Sequence, residues 1–143
     1  MTLVDFDPGD VRLETDVLPV LQELRPHLTP ESFATVYDRG YPQGLRFTAV
    51  YDEDGRCVGV AGWRIVATTN ALLKLYVDDL ITTEADRSRG IGRMLLASLI
   101  DRACDAGCRV VDLDSGVHRP DAHRFYMREG LTISSFHFAR SLT

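Results

Sequence analysis

Between Leu45 and Thr82 the chain runs through three β-rich segments in succession, and at Ile91 its apolar residues switch to helical spacing. The junction is DRSRGIGRMLL, Asp86 to Leu96, with two glycines two positions apart directly before the helix. Glycine costs about 1 kcal/mol relative to alanine inside a helix, so Gly-x-Gly at a helix entrance marks a backbone that must be approached closely. The order strand, tight turn, helix sets free N–H groups and the positive end of a helix dipole at the end of a strand, an arrangement that binds phosphate.

Leu3–Phe6 reads as a first strand, and Asp16–Leu24 as a helix with Val17, Val20, Leu21 and Leu24 on one stripe and Pro19 in its first turn. Thr29 followed by Pro30 is an N-cap with proline at the first helical position, which starts a second helix running to about Asp38. Leu45–Tyr51, the turn Asp52–Gly55 and Arg56–Thr68 form a hairpin signal, and Leu72–Thr82 adds a third antiparallel strand. Past the junction, Ile91, Met94, Leu95, Leu99 and Ala103 place a helix over 91–106 that Gly107 stops. Arg109–Leu113 is a short strand, Pro120–Glu129 a helix stopped by Gly130, and Leu131–Ala139 is expected to close the sheet through Ile133, Phe136 and Phe138. A strand, a helix and a strand in this order make a crossover between parallel neighbours. The predicted fold class is α+β, with a mixed, mainly antiparallel central sheet flanked by helices, in a single domain over 1–143.

Composition excludes several functions. With 143 residues, 45% hydrophobic and 26% charged, the chain has the makeup of one globular domain with one core. A net charge of -5 with no basic cluster argues against a nucleic-acid partner and suits a cationic substrate. No run approaches the eighteen or so apolar residues of a membrane span, and MTLVDFDPGD carries acid where a signal peptide carries base, so a cytoplasmic location without membrane contact is expected. Cys57, Cys104 and Cys108 have no metal spacing; Cys104 and Cys108, four apart on the predicted helix, are expected to be a buried reduced thiol pair, with no metal.

The turn fails two known phosphate loops, since a Walker A loop needs a Gly-Lys-Ser/Thr ending and the dinucleotide fingerprint needs a third glycine where Leu95 stands. Arg87, Gly90 and Gly92 instead resemble the acetyl-CoA signature of the GNAT N-acetyltransferase superfamily, an Arg or Gln, two variable residues, then Gly-x-Gly or Gly-x-Ala. The resemblance extends upstream into VDDLITTEADR and downstream into VVDLDS and DAHRFYMREGL, the last similar to the family's Ala-x-x-Phe-Tyr motif, so that it covers Asp78–Leu131. The helix RPDAHRFYMREG is similar to that of aminoalkylphosphonate acetyltransferases in particular.

What the resemblance implies is a GNAT fold and direct transfer of the acetyl group of acetyl-CoA to a primary amine of a small molecule in a ternary complex. Backbone groups of Leu80, Ile81 and Thr82 would pair with the pantetheine arm, and Arg87, Ser88, Arg89, Gly90, Ile91, Gly92 and Arg93 would hold the diphosphate. Arg119, standing where the family often has Asn, would reach a phosphate or an acid group of the substrate. An amine of pKa about 10.4 is free in roughly one molecule in 2,500 at pH 7, so the site must take a proton and later return one to the CoA thiolate. Tyr126 is the candidate acid; for the base the choices are Asp79, then Glu84, then a water chain.

Strand alternation puts Asp79 on one face with Leu75, Val77 and Ile81, and Asp78 on the other with Tyr76 and Leu80, unless a bulge exchanges them. His118, His123 and His137 are weaker candidates for the base, His123 also for orienting Tyr126. Trp63 and Tyr76 are candidate walls of the acceptor pocket, with Phe33, Tyr37 and Tyr41 where the family places substrate recognition. Other readings are a protein lysine or N-terminal acetyltransferase, a non-catalytic CoA-binding regulatory module, or an interaction protein, and a homodimer through the C-terminal strand.

Overall fold

The structure, a computed structural model, describes residues 1–143. Its strands are β1 (Thr2–Asp5), β2 (Arg46–Tyr51), β3 (Cys57–Thr68), β4 (Leu72–Thr82) and β5 (Val110–Leu113); its helices are α1 (Leu18–Leu24), α2 (Pro30–Gly40), α3 (Ile91–Asp105) and α4 (Pro120–Arg128). The five strands lie in sequence order in one sheet, antiparallel from β1 to β4, with β5 parallel to β4. The parallel pair follows from α3, which carries the chain back to the starting end of the sheet as a crossover requires.

Local chemistry sets the helix ends. Thr29 Oγ1 accepts from the Ser32 amide at 3.1 Å while Ser32 Oγ accepts from the Thr29 amide at 2.9 Å, a reciprocal cap that fixes the start of α2. A π-helical turn, Leu13–Val17, leads directly into α1, and Pro19, which has no N–H to donate, sits just after the junction. Between β2 and β3, Asp52 accepts from the Asp54 and Arg56 amides, both at 2.9 Å, and closes the acidic turn.

Two apolar layers sandwich the sheet. On one face Val17, Leu21, Phe33, Tyr37, Phe47, Val60 and Ile81 pack under α1 and α2; on the other Val58, Leu75, Val77, Ile91, Leu95 and Leu99 pack under α3. Phe33, Tyr37 and Phe47 meet edge to face with centroids 5.3 to 5.5 Å apart, so Phe33 and Tyr37 are core residues. No helix is long and apolar enough to cross a membrane.

The structure departs from the sequence expectations at three places. The segment after Leu131 is not a strand: no backbone bond joins residues 132–143 to the sheet, and Ile133, Phe136 and Phe138 are 75%, 86% and 91% exposed. Its alternation breaks at Ser134-Ser135, so that an unbroken strand would send Ile133 to one face and Phe136 and Phe138 to the other, and β5 offers an edge of four residues. The thiols are not a buried pair, because the inward stripe of α3 passes through Leu99 and Ala103, leaving Cys104 exposed, and Cys108 lies beyond the helix, after Gly107 at φ 78°. Finally, Asp79 does not share a face with Leu75 and Val77, because a register shift in β4 lies between them.

Candidate active site

The pairing register of β4 changes at Asp78. Gly62 of β3 pairs with Asp79, yet the next residue, Trp63, pairs with Val77, so Asp78 is the extra residue of a β-bulge. Each bulge reverses the alternation beyond it. Leu75 and Val77 therefore face α3, whereas Ile81 packs in the layer of α1 and α2, and Asp79 turns to the α1 side with it. A second consequence concerns pairing. β5 accompanies β4 only from Lys74 to Val77, so from Asp78 to Thr82 β4 has no neighbouring strand but β3 and its other edge is open.

That open edge borders a cavity of about 420 Å3 between the end of α1, the bulge, the segment after β5 and α4. Asp79 enters it with 18% of its side chain exposed, and desolvation by burial raises its pKa against the lowering pull of Arg25. The carboxylate lies across Gly62, where an added Cβ would stand 2.9 Å from Asp79 Oδ2 and 2.9 Å from a Phe47 ring carbon. Any larger residue there displaces the acid or the core ring. Asp78 points away from this position and makes a two-bonded pair with Arg64, both contacts 3.0 Å.

Tyr126 lines the same cavity from α4, and its hydroxyl bonds to no protein group. Burial raises its pKa, while Arg119 and Arg25 pull it down. Arg119, at the start of α4, is half-buried on the cavity wall and forms no ion pair or side-chain hydrogen bond. Ser115, after β5, has a buried hydroxyl without a partner, a polar atom left over by the protein's own bonding.

At the far end of the open edge lies the glycine turn. Ser88 and Gly90 take left-handed φ values of 71° and 77°, and the amides of Ser88, Arg89 and Gly90 donate to no protein acceptor. The two glycines have separate reasons. Gly90 needs its φ and has open space beside it; Gly92 needs room, since an added Cβ would stand 3.3 Å from the Phe125 ring. The three arginines are not equivalent. Arg89 is drawn to Asp86 at 2.6 Å and Arg93 leans toward Glu129 at 3.6 Å, leaving Arg87 exposed and unpaired. Asp86 also accepts from Thr83 Oγ1 at 2.6 Å, which braces the turn.

The structure thus gathers Asp79, Tyr126 and Arg119 around one cavity beside Leu80, while Glu84 sits on the exposed turn Glu84–Asp86, outside its lining. His118 lines the cavity; His123 bonds to the Gly116 carbonyl at 2.7 Å and not to Tyr126, and His137 lies 3.4 Å from Asp114. Trp63 bonds Thr48 at 3.0 Å and lines a separate, smaller cavity with Tyr41, and Tyr76 bonds Asp114 at 2.8 Å. No group of three His, Cys, Asp or Glu side chains is arranged to hold a metal. Gly62 and Arg25 are site residues that no motif in the sequence marks. A glycine inside the β-run VAGWR is itself a sign of a bulge or a close approach; Arg25 gave no sign, since its partner is 54 residues away.

A family model described as the Acetyltransferase (GNAT) family matches residues 14–131. An uncharacterized N-acetyltransferase of Bacillus subtilis (strain 168), YhdJ, is 48% identical over 67 residues, 46% of this chain and 47% of that protein. An aminoalkylphosphonate N-acetyltransferase of Salmonella typhimurium is 38% identical over 66 residues, 46% of this chain and 43% of that protein. The chain spans about half the length of these curated relatives. Among solved structures, AAC(6')-Iy in complex with the bisubstrate analog CoA-S-monomethyl-acetylneamine superposes with a TM-score of 0.83 at 15% identity, over 99% of this chain and 98% of that one, a likeness of fold. With 118 consecutive residues inside the family model, from the π-helical turn to the end of α4, the chain belongs to the GNAT acetyltransferase family.

Proposed function

We propose that this chain transfers the acetyl group of acetyl-CoA to a primary amine of a small molecule by direct attack in a ternary complex. The observation that carries the reading is the open β4 edge from Asp78 to Thr82, which runs from the unpartnered amides of Ser88–Gly90 to a cavity holding Asp79 and Tyr126. A long ligand with an anionic end and an amide-bearing arm matches that sequence of groups.

Acetyl-CoA supplies the activated thioester. The free amides of Ser88, Arg89 and Gly90, the dipole of the fifteen-residue α3 and the unpaired Arg87 suit its diphosphate. Those backbone groups of the Leu80–Thr82 stretch that are not bonded to β3 are offered to the arm along the open edge, and an N–H among them would stabilise a developing oxyanion. Asp79 is desolvated, and its raised pKa makes it a better proton acceptor than an exposed aspartate. Tyr126, pushed up by burial, stays protonated at neutral pH and has its hydroxyl free to donate to a departing thiolate. Glu84 is not given this work, because it lies in solvent outside the cavity.

The acceptor is proposed to be a small amine that also carries an acidic group. Support comes from the unpaired, half-buried Arg119 on the same wall as Tyr126 and from the relative named as acting on aminoalkylphosphonates. The test is release of free CoA thiol from acetyl-CoA with a panel of primary amines, aminoalkylphosphonates and lysine peptides. Turnover with acid-bearing small amines is expected, and Tyr126→Phe should lower kcat by roughly a hundredfold or more with the KM for acetyl-CoA unchanged. Preference for lysine peptides would overturn the acceptor class.

A further inference from the structure

The end of α1 is fastened at two points outside the hydrophobic layers, one on β4 and one on the turn that follows it. Glu23 Oε1 accepts from the Glu84 amide at 2.9 Å, and Arg25, the residue that caps α1, reaches Asp79 Oδ1 through Nε at 3.0 Å and the Asp78 carbonyl through Nη2 at 3.2 Å. The second contact spans the bulge, for Arg25 holds both the carbonyl of the extra residue and the carboxylate of the one after it.

Every other charged group around Asp79 is either engaged elsewhere or points no bond at it. Arg64 of β3 is spent on Asp78. Glu23 caps the Glu84 amide, and Asp114 accepts from Tyr76 and lies beside His137. His118 and Arg119, before α4, and Tyr126 on it share the cavity without bonding to Asp79. The Arg25 guanidinium is thus the one cation bonded to this acid. Because it also lowers the pKa of Tyr126, it acts on both proton-handling groups of the cavity.

We propose that Arg25 is the positioning residue of the site: it pins the bulge at Asp78 and serves as the counter-ion that orients the Asp79 carboxylate toward the acceptor amine. The inference rests on the proposed role of Asp79 and adds to it a requirement from a different part of the chain. Arg25 reaches only Oδ1, so Oδ2 remains for the amine. Asparagine or glutamine at position 25 can hydrogen-bond the Asp78 carbonyl but cannot supply charge; lysine can supply charge but not the two-armed geometry.

The experiment compares the parent with Arg25→Gln and Arg25→Lys by two readouts: carbon-13 NMR titration of the Asp79 carboxyl, assigned through Asp79→Asn, and the pH profile of kcat/KM with the best acceptor amine. Removing a cation at this distance is expected to raise the Asp79 midpoint by about one unit or more. The acid limb of kcat/KM should rise with it, so that the deficit of Arg25→Gln shrinks as pH increases. Arg25→Lys should keep the midpoint near that of the parent while losing kcat, since charge is retained and the pin across the bulge is not. An unmoved midpoint in Arg25→Gln overturns the proposal, as does a loss of thermal stability with both readouts unchanged, which is what a merely structural arginine gives. A midpoint that moves while the limb stays still supports Arg25 as the counter-ion of Asp79 and instead overturns Asp79 as the proton acceptor. If Arg25→Gln fails to fold, the lysine variant alone decides: a parent-like kcat with the pin removed overturns the proposal.

Discussion

Gly90→Arg is expected to abolish stabilisation by acetyl-CoA while leaving a folded protein. Saturation at a hundredfold excess over Kd is worth about 2.7 kcal/mol, a shift of several degrees in Tm for a domain of this size. No atom outside its chain neighbours lies within 4 Å of a Cβ at Gly90, so the new side chain has room, and it takes that room from whatever docks on the free amides of Ser88–Gly90. The φ of 77° adds a cost of about 1–2 kcal/mol for any non-glycine residue, so the unliganded variant should melt somewhat below the parent. Gly90→Ala separates the two effects: it carries the same backbone strain without filling the turn and should retain most of the ligand-dependent shift. Thermal melts of all three proteins with and without acetyl-CoA measure this.

Asp79→Asn is expected to lower kcat/KM by roughly 10²–10⁴-fold, the range of a positioned proton-transfer group, and at the same time to leave Tm at or above that of the parent near neutral pH. The sign follows from linkage. Asp79 has its folded pKa raised above the unfolded value, chiefly by desolvation, so its favourable contribution is present in acid, below the unfolded pKa, and is lost as pH rises through the folded pKa. Above that point the chain bears the cost of a charged, mostly buried carboxylate, which asparagine does not. The advantage of Asp79→Asn in thermal stability should therefore grow from acid toward neutral pH, and melts across that interval together with steady-state kinetics test both halves.

These predictions depend on features of unequal legibility in the sequence. Capping and period were legible: Thr29-Pro30 starts α2, the apolar spacing from Ile91 makes α3, and β4 matches its run at both ends, because each is written in residues close together in the chain. The bulge was legible only as an alternative, since the extra residue Asp78 looks like any other strand position until Gly62 and Trp63 are seen to pair around it. Asp79, Tyr126 and Arg119 come from segments that a motif resemblance had singled out, and they do line one cavity. Arg25 was illegible because an ion pair between a helix end and a strand 54 residues later leaves no local pattern. The failure at Ile133, Phe136 and Phe138 has the opposite cause: apolar residues at short spacing look like a strand, but their alternation breaks at two serines.

Side-chain substitutions cannot probe the open edge of β4, where the backbone itself is proposed to bind. Amide hydrogen exchange with and without saturating acetyl-CoA reads it directly. Slowed exchange is expected in two separated places at once, at the open-edge amides among Leu80, Ile81 and Thr82 and at Ser88 to Gly92, with the remainder of the sheet unchanged. Exchange at both segments that is indifferent to acetyl-CoA would contradict it, and with it the assignment of the cavity beside Asp79 and Tyr126 as the place of acetyl transfer.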